Sequence, residues 1–169
     1  MNRISKLAVA VLCVGAMFVG GCKITPEQSK VVAQNAGVYS AVIWIAVDNP
    51  TSLQIIEVKT VLDVIKEKAS AVKAGQTFTE VIYPELVKVI DAKIPVQDRP
   101  LVKVASLSIL NGLDTLFAMH PEWKTPEDMA LDIVNAYVDG AKLGLSMQEN
   151  SAVMKQTRAA ANARAKLMK

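Results

Sequence analysis

Histidine, cysteine and aromatic side chains are scarce in this chain of 169 residues. It has one histidine and two cysteines, and aromatic residues make up 5% of it. A single imidazole, His120, leaves little for proton transfer near neutral pH. No Gly-rich phosphate loop, nucleophile elbow or metal-ligand spacing occurs in the sequence. An enzyme is therefore not expected, and neither is a cofactor, a bound metal or a small-molecule substrate. Nothing reads as a sheet.

Charge is absent from Leu7 to Gly20, behind Arg3 and Lys6. This apolar run is too short for an ordinary membrane span and has the length of a signal-peptide core. It ends in Val19-Gly20-Gly21-Cys22, which resembles the lipobox of bacterial lipoproteins. The resemblance implies cleavage before Cys22 by signal peptidase II, with a diacylglycerol on its thiol and a further acyl chain on its amine. Three chains, at roughly 0.8 kcal/mol per buried CH₂, would make attachment effectively permanent. Lys23 stands where an Asp would signal retention in the inner membrane, so the implied address is the outer membrane, facing the periplasm. With Cys13 in the signal and Cys22 acylated, no thiol is left for pairing, metal or nucleophilic work. Stability must then come from packing.

Three segments follow: a signal at 1–21, one domain at 22–149 that is long enough for a sizeable core, and a tail at 150–169. The domain carries 12 basic and 16 acidic residues, whereas the tail carries Lys155, Arg158, Arg164, Lys166 and Lys169 with no acid. The tail is a different surface from the body.

Helix starts recur as Thr with a Gln or acidic residue three places on: Thr25 with Gln28, Thr51 with Gln54, Thr77 with Glu80, and Thr125 with Asp128. Each pair can satisfy amides that a helix start leaves bare. Pro26 and Pro126 support two of them, and Asp98 before Arg99-Pro100 reads as a fifth start. With stops at Asp48-Asn49-Pro50, Gly75, Pro95 and His120-Pro121, the pattern predicts helices over 26–47, 52–74, 78–93, 99–119 and 126–146. Joints of two to five residues fold consecutive helices back on each other. The expected fold is all-α: a compact antiparallel bundle of about five helices plus a basic, Ala-rich C-terminal helix.

Apolar spacing divides these helices into two kinds. The second carries one seam, Ile55, Val58, Leu62, Ile65, Ala69 and Val72, with Glu57, Lys59, Asp63, Lys66 and Lys68 elsewhere on a wet face. The third repeats this more roughly through Val81, Leu86, Val89 and Ile90, with Pro84 expected to kink it or delay its start. The first is uncharged from Val31 to Val47, and the fourth holds only Lys103 and Asp114 between Leu101 and Met119. Both are expected to be central and covered on most sides. Ala33, Gly37 and Ala41 on the first helix and Ala136, Gly140 and Gly144 on the fifth predict a close crossing near Gly37 and Gly140.

Asn111 and Asp114 stand one turn apart on an otherwise apolar helix and are expected to face a gap or pair locally. His120 shares a loop with Pro121, Glu122 and Trp123. It reads as a solvated loop histidine beside an aromatic anchor, with Trp123 and His120 as possible partner contacts. In the tail, Val153, Ala160 and Leu167 are at helical spacing. The terminal Lys169 resembles that of the murein lipoprotein family, which implies linkage to peptidoglycan there; a solvated or polyanion-binding tail is the competing reading, with Lys155, Arg158, Arg164 and Lys166 as contacts. Around Ala46-Val47-Asp48-Asn49-Pro50 and Asn111-Gly112-Leu113-Asp114 the chain resembles small lipoproteins of tailed bacteriophages. That resemblance implies exclusion of competing phages by blocking a surface receptor.

The expected function is thus that of a non-catalytic lipoprotein of the cell envelope. It would be held to the membrane by Cys22 and act by contact with an envelope protein or anionic polymer rather than with nucleic acid. The alternative is a membrane-active protein, a small pore or lysis factor, with helices one and four in the bilayer.

Overall fold

The computed structural model describes residues 25–73, 75–124 and 129–147. Among them lie α1 (Pro26–Asp48), α2 (Ser52–Lys68), α3 (Phe78–Lys93), α4 (Arg99–Met119) and α5 (129–147), with 3₁₀ turns at Ala69–Ala71 and Pro121–Lys124. No strand occurs among the described residues. The fold is an all-α bundle.

Thr25, Thr51 and Thr77 each form the reciprocal capping box that their spacing implies, with Gln28, Gln54 and Glu80 closing it. The Thr125 box lies outside the described residues. Asp98 is different: it precedes α4, but its backbone is already helical and its side chain caps nothing. Its carboxylate instead accepts from Gln54 Nε2 at 2.7 Å, so the start of α4 is joined to the start of α2. α2 ends at Lys68, earlier than predicted, and tightens into a 3₁₀ turn. α3 runs through Pro84 without a delayed start.

Cross-helix pairs fix the directions. Phe78 and Thr79 meet Asp114, and Asp91 meets Lys103, so α3 and α4 are antiparallel. Lys66 pairs with Asp139 and Asp63 with Lys142, which sets α5 antiparallel to α2. Lys30 pairs with Asp132, and further along Gly144 lies against Val38 and Ala41, so α1 and α5 run parallel. The bundle goes up-down-up-down-up. The starts of α1 and α3 and the first described residues of α5 share one end, called proximal below, with the ends of α2 and α4; the last described residues of α5 lie toward the distal end.

α4 is the central helix, packed against α1, α2 and α3 and burying Val102, Ala105, Ile109, Leu110, Leu113, Leu116 and Phe117. The expectation for α1 is overturned. It buries only Ser29, Ala33, Gly37, Ala41 and Trp44, while Val31, Tyr39 and Val47 are exposed. Nor do α1 and α2 pack on each other, despite their short joint. α5 is ion-paired to both, and it approaches α1 through small residues that leave α1's bulky valines facing out. The α3 seam also shifts: Phe78, Ile82, Leu86 and Ile90 are buried, with Val81 and Val89 at the margin.

The α1–α5 contact is backbone on backbone. A Cβ at Gly37 would overlap the Tyr137 carbonyl and sit 2.8 Å from Ala141 N, and one at Gly140 would overlap the Gln34 carbonyl. Beside this crossing the buried Tyr137 hydroxyl lies 2.9 Å from the Ile109 carbonyl oxygen and 2.7 Å from Ser40 Oγ. This ties α5 to α4 and α1 at one point, and burial pushes the phenol pKa up, so it stays a donor.

Candidate functional site

The proximal end gathers the start of α1, residues 69–73 and 75–77, and the described part of the loop after α4. Its polar groups are committed to holding helices together. Both Asp114 oxygens accept from the start of α3, Phe78 N at 2.6 Å and Thr79 N at 3.0 Å. Asn111 Oδ1 accepts from Thr79 Oγ1 at 3.2 Å. Glu80 N goes to Thr77 Oγ1 and Val81 N to the Thr77 carbonyl, so every bare amide of the α3 start has an acceptor. The polar pair that α4 carries among its apolar residues, expected to face a gap or pair locally, instead meets the start of a neighbouring helix, where Asp114 caps α3.

His120 and Trp123 are brought together in the same loop. Their rings stack with centroids 4.0 Å apart and 9° between planes, and His120 Nδ1 lies 3.1 Å from Glu122 Oε1. Trp123 is only 1% exposed. Trp123 is thus not an exposed contact: the indole is a plug that seats the loop on the core, and the imidazole, expected to be solvated, lies over it with its side chain only 12% exposed. Among the described residues no group of three or more His, Cys, Asp or Glu could hold a metal ion. Cys22, Lys155, Arg158, Arg164, Lys166 and Lys169 all lie outside the described residues.

No protein-family model, curated protein or solved structure matches this chain. Its surfaces have to speak for themselves. α1 and α4 are both long and apolar enough to cross a membrane by length and composition; α4 is spent on the core, whereas α1 keeps much of its surface outside it.

One functional-looking residue escapes a sequence reading. Glu57, assigned by spacing to the wet face of α2, is 8% exposed, and its Oε2 has no hydrogen-bond partner among the described residues. Desolvation, and secondarily the negative charge of Asp98, raise its pKa above the ordinary 4.5. A carboxyl so shifted holds its proton more tightly folded than unfolded. Its contribution to stability is fully present below pH 4.5 and is lost as pH rises through the higher folded pKa. Glu57→Gln should therefore raise Tm at pH 7 by roughly 2–4 °C, the response of a chain this size to about 1 kcal/mol. The gain should disappear near pH 4. Thermal melts at the two pH values check this, and a lower Tm for the variant at pH 7 would show that the ionised carboxylate is tolerated.

Proposed function

We propose that this chain is a non-catalytic, lipid-anchored envelope protein whose bundle acts as a spacer, holding a basic tail away from the membrane for contact with an envelope partner. The observation that supports this is that the described chain starts at one end of the bundle and leaves α5 at the other. α1 begins at Pro26, four residues after Cys22. Twenty-three helical residues rise about 34 Å, at about 1.5 Å each. The root of the tail would then stand several Debye lengths, at about 8 Å each, from the bilayer that holds Cys22. Lipid headgroups at the anchor are screened from it. That favours a partner on the far side, an anionic polymer of the wall or an envelope protein, over anionic lipid of the anchoring membrane.

The exclusion of competing phages implied by the sequence resemblance is one form that such contact takes. The membrane-active alternative asks α4 to leave the core, and α4 is the helix on which the others pack. The experiment is the intact mass of the protein recovered from membranes after murein-hydrolase digestion. The expected result is a chain beginning at Cys22 with acyl chains added, and a muropeptide increment would assign Lys169 as a linkage site. A mass beginning at Met1, or at an unmodified residue, would remove the anchor and this reading with it.

A further inference from the structure

α1 presents a second seam, which turns away from the core over its first turns and reaches the core margin at Ile45. Gln28, Val31, Asn35, Val38, Val42 and Ile45 succeed one another in alternating steps of three and four. None of them is buried: Gln28, Val31 and Asn35 are exposed, and Val38, Val42 and Ile45 are half-buried at the margin of the bundle. Alternating threes and fours are the spacing by which one helix meets another along its whole length. The helix carries no charge between Lys30 and Asp48 that would oppose such a contact. Within the seam from Val31 to Ile45, Asn35 is the one polar residue, and its side-chain amide makes no hydrogen bond among the described residues. A lone asparagine at such a position sets register and strand number when it meets another asparagine.

We infer that a second copy of this chain packs along this seam, with the two α1 helices parallel. The inference rests on the anchor reading. Two copies held by Cys22 in one membrane present α1 with the same polarity, and a parallel pair places Asn35 against Asn35. An antiparallel pair centred on the seam would set Asn35 against Val38 and leave each amide facing a valine. Area decides where the pair forms. A helix about 34 Å long and about 10–12 Å wide offers a footprint on the order of 350 Å² per copy. That falls short of the roughly 1,000 Å² in total expected of a free-standing interface. Confinement in the membrane supplies the missing association by raising effective concentration. The pair forms on the bilayer and separates when the anchor is removed.

Disulfide trapping of the full chain in its membrane tests this. Val31→Cys, Val38→Cys and Val42→Cys should each give a covalent dimer on mild oxidation. Val104→Cys and Ile56→Cys, exposed on α4 and α2, should give none. Adding Asn35→Lys to Val38→Cys should reduce the dimer to the control level, because it sets like charges face to face at an exposed position where folding is not at stake. Equal trapping at seam and control positions, or none at the seam, would overturn the pairing. So would a disulfide within one chain between Val38→Cys and Ala160→Cys, which would give the seam to the tail. Maleimide labelling of the unsubstituted chain separates the two ideas: uptake would reveal a free thiol at Cys22, or at Cys13 of an uncleaved chain, and either would overturn the anchor and the parallel tether together. A blocked Cys22 with no trapping overturns the pairing alone.

Discussion

Gly37→Leu should lower Tm by roughly 8–16 °C, the response of a chain this size to about 4 kcal/mol, or abolish the cooperative transition. A Cβ at this position already overlaps the Tyr137 carbonyl and approaches Ala141 N, and neither is a side chain that can swing aside. α1 and α5 must part along their whole crossing, which uncovers Ala33 and Ala41 and pulls Tyr137 from Ser40 and the Ile109 carbonyl. Gly140 faces the Gln34 backbone at the same crossing, so Gly140→Leu should cost about as much. The double variant should cost little more, because the contact is lost only once. Calorimetry of the three proteins checks this. An unchanged melting temperature for Gly37→Leu would mean that α5 is not seated on α1.

Asp114→Ala should cost about 2–3 kcal/mol, or roughly 5–10 °C in Tm. Capping by one side chain is ordinarily worth about 1 kcal/mol. Here one carboxylate serves two amides, Phe78 N and Thr79 N, across the α3–α4 interface. Removing it leaves both part-buried donors bare while the Thr77 box remains. Asp114→Asn keeps one acceptor oxygen and should recover about half of the loss. Hydrogen exchange should quicken first at residues 78 and 79; uniform change across the chain would mean that Asp114 acts on global stability rather than on this cap.

Features written within four or five residues could be read from the sequence. Three Thr boxes appear as spaced, because cap and capped amide belong to the same stretch. The glycine crossing was legible too, since two small-residue stripes four apart leave few alternatives. Polar contacts that need a distant partner were not. Nothing near Asp98 says that Gln54, on another helix, will take its carboxylate away from capping. Glu57 looks like any solvent-facing glutamate until folding buries it and brings the charge of Asp98 near. α1 misled for a related reason: an uncharged helix implies a cover, but composition does not say which molecule provides it. The loop tryptophan shows the same limit, since sequence alone does not tell a plug from a contact.

The first and last helices of the bundle touch through residues about a hundred positions apart in the chain, whereas α3 packs on both of its sequence neighbours, α2 and α4. Local contacts form early and distant ones late, because closing the longer loop costs more entropy. As the polypeptide lengthens from its N-terminus, the groove of α1 built from Ala33, Gly37 and Ala41 stays empty until α5 has emerged. The closing contact is also the one least tolerant of a bulky side chain. Until the α5 residues through Gly144 are made, that groove cannot close.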